Sequence, residues 1–243
     1  MTRFLASVRD ALEAEIALGA CADIIDLKDP AQGALGAPDP KTLVETVRRV
    51  AGRAELSATI GDLPMHGTVL RDAVLTMAAS GVDYIKLGLF PGGDGRGCLD
   101  MLADRAPGMG LIFVLFADAW PDFDGLEAAA EIGAHGVMLD TAGKDGRSLL
   151  DHLTVAALSR FVASARARGL IVGLAGSLKP NHVAALLPLE PDLLGFRGAL
   201  CRGGARGGPL DPAACAHLRA LIPEAQGDLR KVQLTGASAR ALY

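Results

Sequence analysis

The chain has 243 residues, half of them hydrophobic and 21% charged, with a formal net charge of −4. This length and this apolar share suffice for one large domain with a sizeable core. Acidic and basic residues are interleaved and aromatic residues make up only 4%, so no nucleic-acid surface is expected, and no apolar run approaches the ~20 residues of a membrane span.

Eight short apolar runs predict eight β-strands. They alternate with segments of helical periodicity, and most are apolar throughout, which is typical of parallel strands that are covered on both faces. The predicted strands are Phe4–Arg9, Ala22–Lys28, Glu55–Ile60, Asp83–Phe90, Leu111–Ala117, Gly136–Thr141, Ile171–Gly176 and Leu193–Ala199. This alternation favours an α/β fold with a single (βα)8 TIM barrel, and an open doubly wound sheet is the alternative.

Helix starts are marked in the sequence as well. Asp39 precedes Pro40 and Asp211 precedes Pro212, which is the pattern of an N-cap residue followed by proline at the first helical position. The apolar stripes that follow helical spacing are Leu43, Val44, Val47 and Val50; Val69, Leu70, Ala73, Val74 and Met77; and Cys215, Leu218, Leu221 and Ile222.

The barrel is predicted over residues 1–224, followed by a polar, weakly patterned tail over residues 225–243. Because the tail lacks a strong apolar stripe, removing the residues after about Gly227 should leave the barrel folded.

The N-terminus and the cysteines predict a cytoplasmic protein. The first residues show no signal-peptide pattern, and Cys21, Cys98, Cys201 and Cys215 form no CxxC pair, which fits a reducing compartment. Neither the cysteines nor the histidines have metal-ligand spacing. We therefore expect no metal, no organic cofactor, no nucleic acid and no membrane partner, while a homo-oligomer stays open.

Charged side chains fall at positions that should face the inside of the barrel. Asp26 and Lys28 share one face at the end of the second strand, whereas Lys86 lies on the fourth and Asp140 on the sixth. Because alternate strands contribute to the same interior layer, Lys28, Lys86 and Asp140 should face one another near the C-terminal mouth. A structural salt-bridge network is one explanation. Two lysines with two aspartates favour catalysis, since a neutral amine attacks a carbonyl to form an imine.

Glycine-rich turns after the last strands predict a phosphate site. Barrels often bind phosphate there through backbone amides, although tight packing by small residues is the alternative. Arg197 and Gly198 are predicted to lie in the eighth strand. The candidates for substrate and phosphate binding are Arg9, Gly176, Ser177, Arg197 and Gly198.

Two further loops are weaker candidates. Lys144 and Arg147 follow the sixth strand and would either bind a second phosphate or be solvated. The loop DPAQGALGAPDP after the second strand is either an active-site loop or a connector.

Three segments together resemble the (5-formylfuran-3-yl)methyl phosphate synthase family. They are ADIIDLKDPAQGALGAPDP, VDYIKLGLF and GVMLDTAGKDG, and the SVRD opening and the GLAGSL segment also fit. The resemblance runs from about residue 3 to about residue 222. It implies condensation of two molecules of glyceraldehyde 3-phosphate to 4-(hydroxymethyl)-2-furancarboxaldehyde phosphate, with release of phosphate and water, in methanofuran biosynthesis.

The resemblance also implies roles for individual residues. Lys28 in DLKDP would form the Schiff base, and Lys86 in YIKLG would be the proton acceptor. Asp26, Asp140 and Lys144 match further polar positions of the family site. From the strand positions alone, either lysine could be the nucleophile.

Two other functions remain open. A general class I Schiff-base aldolase acting on sugar phosphates would use the same lysine chemistry but release separable aldol products. A non-catalytic sugar-phosphate-binding barrel would bind its ligand without turnover and without borohydride trapping.

Overall fold

The structure is a computed structural model that describes residues 1–103, 108–120, 124–143 and 145–223. Eight parallel strands form a closed barrel in chain order, so the predicted TIM barrel is confirmed. The strands are β1 (Arg3–Val8), β2 (Ile24–Leu27), β3 (Glu55–Thr59), β4 (Tyr84–Leu89), β5 (Leu111–Phe116), β6 (Gly136–Asp140), β7 (Ile171–Leu174) and β8 (Leu193–Phe196). Within the described ranges, no helix is long and apolar enough to cross a membrane.

Helices surround the barrel, and the predicted caps are present. Asp39 accepts hydrogen bonds from the backbone N–H groups of Lys41 and Thr42, both at 3.0 Å. Asp211 caps the last described helix by accepting from the N–H of Ala213 at 3.0 Å. The helices are α1 (Ala11–Gly19), α2 (Pro40–Val50), α3 (Gly67–Ala78), α4 (Gly95–Asp100), α5 (Gly125–Glu131), α6 (Leu149–His152), α7 (Val155–Ala167), α8 (Val183–Leu186) and α9 (Pro212–Leu221).

The two faces of each strand pack into different cores. Outward side chains such as Ile25 and Leu27 of β2 join the large core between strands and helices. Inward side chains such as Leu5, Val114 and Met138 form a smaller core inside the barrel. The alternation of side chains along a strand therefore sends the polar phase of β2, β4 and β6 into the barrel.

The buried stripes of the helices are narrower than the sequence indicated. Val44, Val69 and Leu221 were placed on apolar faces, but their exposed fractions are 47%, 41% and 36%. In α2 the buried residues are the predicted Val50 and, unexpectedly, Thr46. A barrel helix touches the sheet along one line, so residues at the edge of a wide apolar stripe face solvent.

Several strands end earlier than predicted. β8 stops at Phe196, so the placement of Arg197 and Gly198 in that strand was wrong. Arg197 has φ −129° and ψ −67°, which leaves the strand conformation, and Gly198 begins a 3₁₀ turn over Gly198–Leu200. Gly176 likewise lies in the turn beyond β7. The predicted tail over residues 225–243 and Lys144 lie outside the described residues.

Candidate active site

A cavity of about 780 Å³ opens at the C-terminal end of the barrel. It is lined by side chains from the ends of alternate strands, including Asp26, Lys28, Lys86 and Asp140. Both lysines are buried, with 6% of Lys28 and 4% of Lys86 exposed. Buried charges are unfavourable unless they are paired, so the partners of these two amines define what the cavity can do.

Asp26 is fixed by donors from both neighbouring strands. Ser7 on β1 and Ser57 on β3 are its direct neighbours in the sheet register. Their hydroxyls donate to Oδ2 and Oδ1 of Asp26, each at 2.7 Å. Lys86 Nζ lies 2.8 Å from the same Oδ1. Ser7 and Ser57 were not among the predicted site residues, because a serine in a strand carries no local signal that it holds a carboxylate.

Opposing effects set the pKa of Asp26. Complete burial would raise the pKa of the carboxyl group, but the charges of Lys86 and Lys28 and the hydrogen bonds from Lys86 and Ser7 outweigh burial and lower the pKa to about 2. Asp26 is therefore a carboxylate at neutral pH, and it gives Lys86 a permanent close counter-ion.

Lys28 forms the second lysine–aspartate contact. It follows β2 directly, and its backbone N–H still donates to the carbonyl of Val8 at 3.0 Å, which keeps the side chain directed inward. Its Nζ lies 3.9 Å from Oδ2 of Asp140, and Oδ1 of Asp140 accepts from the N–H of Thr141 at 2.7 Å. Lys86 thus lies closest to Asp26 on β2, and Lys28 lies near Asp140 on β6 while its charge also acts on Asp26.

The turns after β7 and β8 carry three of the predicted phosphate ligands. Gly176, Ser177 and Gly198 line the cavity. Gly176 has φ +96° and Ser177 has φ +48°, a left-handed turn that directs successive backbone N–H groups away from the sheet. The N–H groups of these three residues find no acceptor among the residues that the structure describes, so they are available to an anion.

Arg9 and Arg197 occupy structural positions. Arg9 is 39% exposed and pairs with Asp10 and Glu13, and it does not line the cavity. Arg197 forms a buried ion pair with Glu13 and donates to the carbonyls of Ser7, Arg206 and Gly208. All of its nitrogen atoms are engaged, so its guanidinium holds the protein together and is not a phosphate ligand.

Arg206 is a cation of this cavity that sequence reasoning missed, as is the exposed Lys179. It lies in the loop after β8, it lines the cavity and it is half-buried. Burial lowers the pKa of its guanidinium, while the nearby Asp140 carboxylate acts in the opposite direction. An arginine stays charged at neutral pH. Arg202 is an equivalent choice in the same CRGGARGG segment, so composition alone does not select Arg206.

The loop after β2 is held by a neighbouring loop, although none of its residues beyond Lys28 is among those that line the cavity. Asp62, in the loop after β3, accepts from the N–H groups of Ala34 and Leu35, both at 2.8 Å. Gly33 has φ +114°, and a Cβ there would overlap the Asp62 carboxylate. The loop is therefore fixed beside Lys28 by a neighbouring loop.

The sequence model of the 4-HFC-P synthase family matches residues 4–219. The chain belongs to the 4-HFC-P synthase family. Relatives named (5-formylfuran-3-yl)methyl phosphate synthase include one from Archaeoglobus fulgidus, 36% identical over 81% of this chain and 88% of its own length. Another, from Methanocaldococcus jannaschii, is 34% identical over 89% of this chain and 98% of its own length. A relative from Methylorubrum extorquens is 45% identical over 88% of this chain and 89% of its own length. The family resemblance inferred from the motifs is confirmed.

Solved structures with low sequence identity share the fold. A 3-hexulose-6-phosphate synthase superposes with a TM-score of 0.62 at 16% identity, covering 91% of this chain and all of that chain. Phosphoribosyl anthranilate isomerase from Thermus thermophilus gives a TM-score of 0.64 at 15% identity, covering 91% of this chain and 98% of that one. At such identities the likeness supports the barrel and says nothing of substrate.

Proposed function

We propose that this chain is a (5-formylfuran-3-yl)methyl phosphate synthase that condenses two molecules of glyceraldehyde 3-phosphate through an imine on Lys28. The observation that carries the proposal is the pair of buried lysine–aspartate contacts at the barrel mouth, Lys86–Asp26 at 2.8 Å and Lys28–Asp140 at 3.9 Å. The products are the furan phosphate, one phosphate and two molecules of water. That equation balances without an oxidant or a reductant.

The difference between the two contacts favours Lys28 as the nucleophile. Asp26 holds Lys86 in a close ion pair, with Nζ 2.8 Å from Oδ1. Lys28 lies farther from its carboxylate, and a nucleophilic amine must be neutral when it attacks. This geometric argument agrees with the assignment that the DLKDP motif implies.

The proposed chemistry uses both lysines. The amine of Lys28 adds to the aldehyde carbon of one triose phosphate. Lys86 protonates the departing hydroxyl group, so that water leaves and a C=N bond forms. The neutral amine of Lys86 then accepts the proton from the adjacent carbon, which gives an enamine. The enamine carbon attacks the second aldehyde, and an enamine of this kind also expels the phosphate on its β carbon.

The substrate class is inferred from the cavity lining, and the cellular compartment from the cysteines. The substrate is a small phosphorylated triose, because amide groups and cations line the cavity. The proposed compartment is the cytoplasm, and the free thiols of Cys21, Cys98, Cys201 and Cys215 support a reducing environment.

The test uses borohydride trapping with glyceraldehyde 3-phosphate, followed by mass spectrometry of peptides. Wild-type protein should gain mass on the peptide that contains Lys28. Lys28→Arg keeps the charge but cannot form the imine, so trapping and product should both disappear. Lys86→Ala should slow turnover by about 10²–10⁴-fold while some imine still forms.

Lys41→Arg is the matched control, because Lys41 is a surface lysine with 84% of its side chain exposed, and it should behave as wild type. Trapped mass on Lys86 that survives Lys28→Arg would reverse the two roles. Release of separable aldol products, without free phosphate, would favour a general class I aldolase instead.

A further inference from the structure

Arg206 places its guanidinium over a different sector of the barrel mouth from the glycine-rich turn after β7. It originates in the loop after β8, yet one terminal nitrogen donates to the carbonyl of Gly33 in the loop after β2 at 2.6 Å. The barrel order around the mouth is β7, β8, β1, β2. The guanidinium therefore reaches across the end of β1 to the side where Lys28 emerges, whereas Gly176 and Ser177 lie above β7.

The guanidinium retains unused hydrogen-bonding capacity. An arginine carries five N–H donors in a planar fork that matches phosphate geometry. Apart from the bond to Gly33, none of these donors has an acceptor within the described ranges. A half-buried arginine that lines a cavity and keeps open donors is suited to an anionic ligand.

The charges of the cavity also favour an anion. Five cationic residues line it, namely Lys28, Lys86, Lys179, Arg197 and Arg206, while Asp26 and Asp140 contribute two carboxylates. Each carboxylate is already in contact with a lysine. Arg197 is paired with Glu13. Within the described part of the chain, Arg206 and the exposed Lys179 are thus the lining cations without a carboxylate at ion-pair distance, and Arg206 is the half-buried one of the two.

The main chain around Arg206 is held by the buried Glu13–Arg197 pair. Arg197 donates to the carbonyls of Arg206 and Gly208, at 3.0 and 2.9 Å. Arg9 donates to the carbonyl of Gly207 at 3.2 Å. The backbone is therefore fixed at three successive carbonyls, which gives a long side chain a defined position before any ligand arrives.

We infer that Arg206 binds the phosphoryl group of the second triose phosphate, at a position separate from the amides of Gly176 and Ser177. The identity of the ligand rests on the proposed function, since a condensation of two phosphorylated aldehydes needs two anion positions. Arg9 and Arg197 act as positioning residues for this loop.

The first experiment counts phosphate positions without requiring turnover. Calorimetric titration with glycerol 3-phosphate, which lacks the aldehyde, should give two equivalents per wild-type chain. Arg206→Met removes the charge but keeps an apolar stem, and it should give one equivalent. Arg202→Met is the matched control, because Arg202 is exposed and lies outside the cavity in the same loop, and it should give two.

The second experiment separates binding from loop damage. Arg206→Met should raise the KM for glyceraldehyde 3-phosphate by about 10–100-fold, the size expected when charge-assisted hydrogen bonds are lost. Borohydride trapping of unphosphorylated glyceraldehyde on Lys28 should stay at the wild-type rate. The KM of Arg206→Lys should lie between those of the wild type and Arg206→Met, because an ammonium offers a point charge without the planar fork of a guanidinium.

Three results would overturn the inference: one equivalent in the wild type, two equivalents in Arg206→Met, or an equal loss of glyceraldehyde trapping in that variant. The last would mean that Arg206 only shapes the loop. Failure of the proposed function gives a different pattern. The wild-type protein then releases no phosphate from glyceraldehyde 3-phosphate, yet it still binds two equivalents of glycerol 3-phosphate while Arg206→Met binds one.

Discussion

Asp26 illustrates how single residues set the chemistry of this barrel. Its carboxylate is 1% exposed and is met by Ser7, Ser57 and Lys86. With a pKa of about 2, it neither gives nor takes a proton at neutral pH. Asp26 is therefore a fixed counter-ion, and in the proposed mechanism proton transfer near the imine is assigned to Lys86.

The depressed pKa of Asp26 makes a prediction about acid stability. A shift from 3.8 to about 2 corresponds to about 2.4 kcal/mol of folding free energy. Because the folded-state pKa is the lower one, this contribution is complete above about pH 5, roughly half remains at pH 3, and the rest is lost as the pH falls through 2.

Urea unfolding of wild type and Asp26→Asn at pH 7 and pH 3 tests this. The free energy of unfolding of the wild type should fall by about 1 kcal/mol more than that of the variant. Asp72→Asn, at an aspartate with 68% of its side chain exposed, should follow the wild type. An equal fall in Asp26→Asn would show that other groups govern acid stability.

At the scale of elements, the sequence predicted the strands, and which of their side chains face the barrel interior, better than it predicted the directions of side chains in the loops. The period of two along a strand is local, so Lys28, Lys86 and Asp140 could be placed in one cavity from their positions alone. Arg197 and Arg206 lie beyond β8, where the backbone leaves the strand. Their directions depend on Glu13 and Gly33, which are distant in sequence, and no local pattern reports such contacts.

A buried threonine in α2 allows a test of how this helix packs against the barrel. Thr46 in α2 is fully buried, and its hydroxyl has no hydrogen-bond partner among the described residues. Thr46→Val replaces that hydroxyl with a methyl group of similar volume. It should raise the free energy of unfolding by about 1 kcal/mol, because an unsatisfied buried polar group is removed.

Thermal unfolding measures the effect, and a rise in Tm of roughly 2–4 °C is expected for a domain of this size. Thr76→Val on α3 is the matched control, because that exposed hydroxyl donates to the carbonyl of Asp72 at 2.8 Å. It should leave the Tm unchanged or lower it slightly. A destabilised Thr46→Val would indicate that the hydroxyl has a partner beyond the described residues.

At the scale of the whole molecule, one buried ion pair joins the two ends of the barrel sequence. β1 pairs with β8 to close the sheet. Beside that seam, Glu13 of α1 contacts Arg197, which follows β8, and accepts from the N–H of Leu210 at 3.3 Å. The interpretation of Arg197 as a phosphate ligand missed this role, because its partner precedes it by 184 residues.

Glu13→Gln should therefore destabilise the entire barrel. The substitution leaves the buried Arg197 without its counter-ion, and breaking such a pair costs about 3–5 kcal/mol. Glu15→Gln on the same helix removes a surface charge that contacts Arg53, and it should leave stability nearly unchanged because exposed ion pairs contribute little. Urea unfolding of both variants measures the difference. Equal stabilities would show that the seam does not depend on the ion pair.

The seam also constrains how the protein is made. A ribosome releases β1 and Glu13 well before β8 and Arg197, since Arg197 follows Glu13 by 184 residues. During that interval β1 is an edge strand with unpaired backbone groups, and such edges readily pair with other chains. A nascent chain that stalls before β8 is accordingly expected to aggregate through β1 and not to persist as a folded seven-stranded sheet.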